Sequence, residues 1–235
     1  MIGKYGLDIA RGAERDYGFE HKFGSNPNLV SGSQSIWTQG GLYPWAAFDG
    51  EAKTLYVKST DAADTSTIKI FGLDNDWSLQ SETLTMTGTT AVPTVNTYKR
   101  IYRMIYNHSA SNVGVITART VSGTGTVVAH ISAGTAQTLM AVYTVPAGYN
   151  AYLNLYTVGI GKGGDSSFRL YKRENYYGPT AFNIQSDVIL YETTISQQYT
   201  VPIRFIQKTD IDFRALTTGN NFPATASFDL ILDKL

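Results

Sequence analysis

The feature that most constrains this chain is an alternation of period two through its C-terminal half. In Phe168–Arg173, Tyr199–Phe205, Ile211–Ala215 and Phe228–Leu232, apolar side chains take every second place and charged or hydroxylated ones fill the gaps. Successive side chains of a strand point to opposite faces, whereas a helix needs a period of 3.6. Each segment therefore has one dry and one wet face, the mark of an antiparallel sheet packed on one side. A TVPAG turn at Thr144–Gly148 and a second Thr-Val-Pro at Thr200–Pro202 punctuate the pattern. Proline donates no ladder hydrogen bond, so Pro146 ends a strand and Pro202 marks an edge or a bulge.

Strand-like segments run along the whole chain at the spacing of all-β folds. The first group covers residues 54–60, 67–73, 78–87, 94–108, 113–120 and 127–133; the second covers 138–145, 151–159, 166–175, 187–195, 199–206, 210–216 and 227–232. Asp74-Asn75-Asp76 reads as a hairpin turn, because Asn and Asp tolerate left-handed backbone and bond to their own chain. The expected fold is all-β: an antiparallel β-sandwich, jelly-roll or immunoglobulin-like, in two sandwich units. The expected division is an extended N-terminal arm at 1–34, a first unit at 35–134 and a second at 135–235. One elongated sandwich with a shared core is the competing architecture.

The arm stands apart by composition: Lys4, Asp8, Arg11, Glu14, Arg15, Asp16, Glu20 and Lys22 crowd together among glycines. It reads either as a frayed terminus or as a segment that lies on a neighbouring subunit. Ile2, Tyr5, Leu7, Ile9, Tyr17 and Phe19 give it something to bury. In Ser35–Trp45, Trp37 and Trp45 flank a Gly-Gly and a Tyr-Pro. Aromatics this large bury something: they plug the end of a sandwich, stack a sugar or anchor another subunit.

Composition removes several kinds of function. There is no cysteine, hence no disulfide, thiolate nucleophile or zinc–cysteine site; this suits assembly in a reducing cytoplasm. Basic and acidic residues balance at 19 each, without the excess positive charge of a nucleic-acid binder. No run reaches the roughly 18 apolar residues of a membrane span, and residues 1–18 lack the apolar core of a signal peptide, so no membrane partner is expected.

Reactive constellations are equally scarce. His21, His108 and His130 are far apart and lack metal-ligand spacing, and His108 reads as the polar end of a strand face. The Asp74–Asp76 turn lacks the central glycine and closing acid of a calcium loop. Gly159–Asp165 lacks the Ser or Thr and the helix of a phosphate loop and reads as a hairpin tip. Asp210 and Asp212, an acid pair on one strand, read as outward positions, on a solvated edge or in an inter-subunit salt bridge with Arg204 or Arg214. Lys99, Arg100 and Arg103 lie near Tyr98, Tyr102 and Tyr106, and Arg169, Lys172 and Arg173 near Tyr171, Tyr176 and Tyr177. Interleaved bases and aromatics stack nucleobases or make inter-subunit contacts, and the zero net charge favours the second. No catalytic residue, cofactor or metal site is expected.

The ordered series SIWTQGGLYPW, IKIFGLDNDWSLQSETLTMTGTTAV, ISAGTAQTLMAVYTVPAGYNAYL, VPIRFIQKTDIDFRA and ASFDLIL, across residues 35–235, resembles virion structural proteins of tailed bacteriophages. The resemblance implies a non-enzymatic β-rich particle component, first a capsid decoration or cement protein. The alternative is a tail, neck or fibre-associated part with a carbohydrate- or receptor-binding sandwich. It further implies a place on the capsid exterior after synthesis in the host cytoplasm, with the major capsid protein and copies of itself, as a homotrimer, for partners. Candidate contact residues are Tyr5, Ile9, Tyr17, Phe19, Trp37 and Trp45.

Overall fold

The computed structural model describes residues 4–219 and 221–235, with the side chains of residues 4 and 5 outside the description. A short helix, α1 (Lys4–Ala10), precedes strands β1 (Tyr17–Leu29) and β2 (Gly32–Ser35) and a 3-10 turn at Trp45–Phe48. Then follow β3 (Lys53–Ser59), β4 (Thr67–Leu73), β5 (Leu79–Thr85), β6 (Val92–Tyr98), β7 (Arg100–Asn107), β8 (Ile116–Arg119) and β9 (Val127–Ile131). The C-terminal half holds β10 (Val142–Thr144), β11 (Tyr149–Ile160), β12 (Asp165–Glu174), β13 (Asn183–Tyr191), β14 (Thr194–Phe205), β15 (Thr209–Thr217) and β16 (Phe222–Lys234). The fold is all-β and antiparallel, as the alternation predicts.

Strands β3 to β9 make two sheets, β6-β3-β8-β9 and β5-β4-β7. Side chains join β5 to β6 where the backbone ladder stops: Gln80 Nε2 donates to the Thr97 carbonyl at 2.6 Å, and Glu82 Oε2 accepts from the Val95 amide at 2.9 Å. Leu55, Val57, Ile68, Ile70, Met104, Ile116 and Val128 fill the space between these sheets, with Trp37, Tyr43, Trp45 and Phe48 closing one end. The other two sheets run β1-β16-β11-β14 and β10-β15-β12-β13, with β2 added to β15. Their facing sides meet in a second cluster around Leu153, Tyr156, Phe168, Leu170, Phe205, Phe213, Phe228 and Leu230.

The N-terminal segment differs from expectation. Residues 17–29 are not an arm but strand β1, in register with β16 from Tyr17↔Asp233 to Asn26↔Ala224, the register shifting before Leu29↔Phe222. The alternation is hard to read there because the inward face carries Lys22, Gly24 and Asn26, all buried, rather than aliphatic residues. Gly24 is required by contact: a Cβ would sit 2.3 Å from the Ile36 carbonyl oxygen and the Ala141 amide. Segment 94–108 is likewise two strands, divided at Lys99, with β6 pairing β3 and β7 pairing β4. At that corner the chain passes from one sheet to the other.

The TVPAG turn ties distant pieces together. The Val145 amide donates to the Thr209 carbonyl at 2.9 Å and the Lys208 amide to the Val145 carbonyl at 2.8 Å. The Ala147 amide reaches the Trp77 carbonyl at 2.9 Å, so the turn belongs to both halves of the molecule.

Candidate functional site

Between the two apolar clusters lies the densest polar chemistry among the described residues. Strand β15 supplies Asp210 and Asp212, both with no exposed side-chain surface. Their burial corrects the expectation of outward positions: segment 36–50 and Phe182 cover this end of the sheet, so its nominally wet face is dry.

Asp210 collects six donor contacts. Arg100 approaches side-on, Nε to Oδ1 at 2.8 Å and Nη2 to Oδ2 at 3.0 Å. Arg173 places Nε and Nη2 on Oδ2 at 3.0 and 2.8 Å. Thr144 Oγ1 donates to Oδ1 at 2.6 Å and Asn175 Nδ2 to Oδ2 at 2.9 Å. Burial alone would raise the pKa of this carboxyl; the charge and hydrogen bonds of Arg100, then Arg173 and Thr144, outweigh burial and hold it below the ordinary value.

Asp212 sits two residues on, with all its partners on one oxygen. Oδ2 accepts from Trp45 Nε1 at 2.9 Å, Arg214 Nε at 2.8 Å and Ser35 Oγ at 3.1 Å, while Oδ1 has no hydrogen-bond partner. Burial here prevails over Arg214, Trp45 and Ser35, and the pKa is raised. The two acids are thus unequal: one is a fully bonded carboxylate, the other is pushed toward its neutral form.

The arginines stack between aromatic rings in one continuous pile. Arg214 Cζ lies 4.4 Å from the Tyr171 ring centre and 4.5 Å from that of Phe182. Arg173 is 5.0 Å from Phe182 and 5.8 Å from Trp45; Arg100 is 5.6 Å from Trp45 and 4.7 Å from Trp77. A guanidinium presents flat faces to rings while its edge donates to carboxylates, and both are used here. Trp77 reaches its place with φ +66°, a strained backbone for a large residue, held by Asp74 Oδ1 accepting the amides of Asp76 and Ser78 at 2.9 and 2.8 Å. The Asp74–Asp76 segment is the hairpin turn expected, with the Asp74 carboxylate bonded within the turn.

The joint therefore unites Trp45, Trp77 and Arg100 of the first half with Tyr171, Arg173, Phe182, Asp210, Asp212 and Arg214 of the second. Arg100 and Arg173 are buried within the chain, which replaces the inter-subunit reading of those two bases. Among the described residues no three His, Cys, Asp or Glu side chains converge as metal ligands.

A second polar group links β1 to β7. Lys22 is buried, donates to the Tyr102 carbonyl and lies 5.3 Å from the Tyr102 ring centre. Burial, opposed by Glu20 and reinforced by Arg103, lowers its pKa to about 7. Nearby, the Tyr143 hydroxyl is buried without a hydrogen-bond partner. On the outer face of the same strand His21 Nδ1 meets Asp229 Oδ1 at 2.5 Å.

Of the candidate contact residues, Tyr5 lies outside the described side chains. Ile9 is buried and Tyr17 half-buried, whereas Phe19 is 51% exposed. Trp37 and Trp45 are buried at 2% and 5% exposure, stacked edge-on against Tyr43 at 5.1 and 4.7 Å. They plug the sandwich end and are closed to a partner, which withdraws both as contact residues. Consecutive left-handed Gly40 and Gly41, at φ +76° and +71°, let the chain double back so that the three rings pile up. The glycine-rich loop is not the hairpin tip expected: β11 and β12 pair in different sheets, so it carries the chain from one sheet to the other, its Gly163 amide held by Glu192 Oε1 at 2.6 Å. His108 lies just beyond the end of β7, its ring accepting the Ala110 amide at 3.0 Å.

Large apolar side chains lie open on the surface, Tyr177 at 93% and four that sequence reasoning did not single out, Val95, Val201, Tyr191 and Ile189, at 92, 81, 69 and 65%. Ile189 and Tyr191 border a shallow groove with Asp165, Ser167, Leu216 and Thr218. The Val-Ile-Leu-Tyr run at 188–191 was the available signal, but its uncovered side depends on which strand ends the sheet.

No family model matches the chain, and no curated protein matches it. Among solved structures, the chain aligns with the structure of infectious bursal disease virus, Gt strain, at 9% identity and a TM-score of 0.17, covering 94% of this chain and 77% of that one. The VP2 protein of the same virus, as the D431N mutant in T=1 particles, aligns at 9% identity and a TM-score of 0.14, covering 94% and 78%. Likeness of this extent carries no argument about the fold or function of this chain.

Proposed function

We propose that this chain is a non-enzymatic structural protein of a bacteriophage virion, a decoration or cement protein that binds the outer shell and braces neighbouring shell subunits. The observation that carries this reading is the joint around Asp210. The densest cluster of acids and bases among the described residues is bonded inward, where it fastens two β units to each other, and an acid held by two arginines is unsuited to proton transfer. Large apolar side chains are left at the surface, as a protein that works through contact requires. The resemblance of the ordered segments of residues 35–235 to virion proteins of tailed phages is in keeping with the same reading. Its partners on this reading are the major capsid protein and copies of itself.

Counting copies in purified particles tests the proposal. Hundreds per particle are expected for a shell component; six to eighteen would replace it with a tail or neck role. The exposed Tyr177, set perpendicular to Tyr176 at 4.7 Å, favours a second reading, a fibre-associated part that stacks a sugar on these rings. Glycan-array binding abolished by Tyr177→Ala would decide for it.

A further inference from the structure

The strands that border the sheets differ in how their free backbone edge is protected. An open edge offers unpaired N–H and C=O groups to any extended chain, and natural proteins block it with proline, bulges, inward charges, short strands or a cover. Strand β14 carries Pro202 in a segment, Tyr199–Pro202, that bulges out of register opposite Asn154. Strand β1 turns the charge of Lys22 inward and has Pro27 near its end. Strands β2 and β10 have only four and three residues. Glu82 and Gln80 close the gap between β5 and β6. The Tyr43 and Thr38 hydroxyls bond to the Val128 and His130 carbonyls of β9. The far side of β7 bonds to residues 136 and 138.

Strand β13 has no such device over Ser186–Tyr191. That stretch, Ser-Asp-Val-Ile-Leu-Tyr, contains no proline and no lysine. Among the described residues its backbone pairs with β12 alone. Ile189 and Tyr191 point outward at 65 and 69% exposure, while Val188 and Leu190 face the core.

We propose that β13 pairs antiparallel with β13 of a second copy of this chain, about a two-fold axis through Ile189. The segment complements its own reverse in that register. Ile189 meets Ile189 of the other copy, and each Asp187 lies opposite the other copy's Tyr191, where a hydroxyl can donate to a carboxylate. On the inner face each Val188 lies opposite Leu190. An axis through Asp187 would instead oppose two carboxylates, which destabilises a cross-strand pair. Asp187 is already balanced by Arg169 at 2.9 Å, and the zero formal charge of the chain sets up no long-range repulsion between copies. The contact joins two four-strand paths into one sheet and covers the apolar rim of the groove. It is isologous, so it takes the place of the homotrimer expected from the sequence as the first contact between copies. It does not depend on the virion reading.

Sedimentation of the full-length chain tests this. A single strand pair buries little area, so dimerisation with a dissociation constant of about micromolar order is expected. Ile189→Lys should be monomeric with an unchanged thermal midpoint, and Val201→Lys on the blocked edge of β14 should remain dimeric. Because the chain has no cysteine, Ile189→Cys introduces a single thiol. Opposed Cβ atoms in such a pair lie about 4.5–5.5 Å apart, within small adjustment of disulfide geometry, so mild oxidation should yield a covalent dimer and Val201→Cys should not. A wild-type chain monomeric up to several hundred micromolar, or a dimer that survives Ile189→Lys, would overturn the proposal.

Discussion

At the residue scale, Lys22 is the side chain whose setting has the clearest measurable consequence. A lysine held near pKa 7 in the fold and near 10.4 when unfolded binds fewer protons in the folded state between those values. Stability therefore rises with pH across that window, by at most about 1.4 kcal/mol per pH unit, and the full penalty of burying the charge is present below pH 7. Urea midpoints from pH 6 to 9 should climb for the wild type, and Lys22→Met should be the more stable protein at pH 6 and lose that slope. Equal slopes in the two proteins would contradict the burial of a titrating amine. Glu20, whose pKa burial raises against the pull of Lys22, Arg103 and His21, and Arg103 face the same position, so the comparison with Lys22→Met isolates the lysine. Alternation on β1 could not reveal this residue, because a lysine in a wet-looking position is ordinarily solvated.

At the element scale, β1 is the correction with the widest reach. Removing residues 1–33 takes away one of four strands, exposes the edge of β16 and uncovers Tyr102 and Tyr143; the product should fail to fold, as read by loss of near-ultraviolet dichroism. Removing residues 1–15 deletes α1 but leaves β1 paired from Tyr17, and should lower the thermal midpoint by no more than a few degrees. A folded 34–235 fragment would restore the idea of an arm. Strand β4 was legible to the residue at 67–73 because both its ends are marked, by Thr65-Ser66 before it and Asp74-Asn75-Asp76 after it. Two other boundaries were not. The chain switches sheets at Lys99 and again at Glu192-Thr193, where Glu192 takes φ +45°, and neither place has the glycine, proline or asparagine that announces a turn. Tertiary packing sets those corners, and local preference does not.

At the scale of the whole molecule, the joint decides whether the two clusters unfold together. Asp210→Asn leaves Arg100 and Arg173 buried with one charge partner fewer, which should cost about 3–5 kcal/mol. The calorimetric midpoint should then fall by roughly 6–20 °C, with the single transition broadening or dividing in two. Asp212→Asn should cost less than about 1.5 kcal/mol, because burial already favours the neutral form and one oxygen has no partner. Equal losses from the two variants would refute the inequality of the acids. Acid acts on them in opposite senses. The contribution of Asp210 is present above about pH 4 and disappears as pH falls through its lower folded value, whereas protonation of Asp212 relieves a burial cost. None of this was readable along the chain: Arg100 and Asp210 are 110 residues apart, and no period relates them. The interleaving of arginines with aromatics was visible, and only the fold reveals that their partners are the two acids of β15.

The pile of rings and guanidinium groups also sets how the molecule yields when pulled. Aliphatic surfaces slide past one another and lose contact by degrees, whereas a planar guanidinium clamped edge-on to a carboxylate has one seat and no neighbouring one of similar energy. Pulling the halves apart would strip Asp210 of Arg100 and take Trp45 away from Arg173 within the same few tenths of a nanometre. The joint is therefore brittle: stiff up to a threshold load, then lost at once, with little creep before failure.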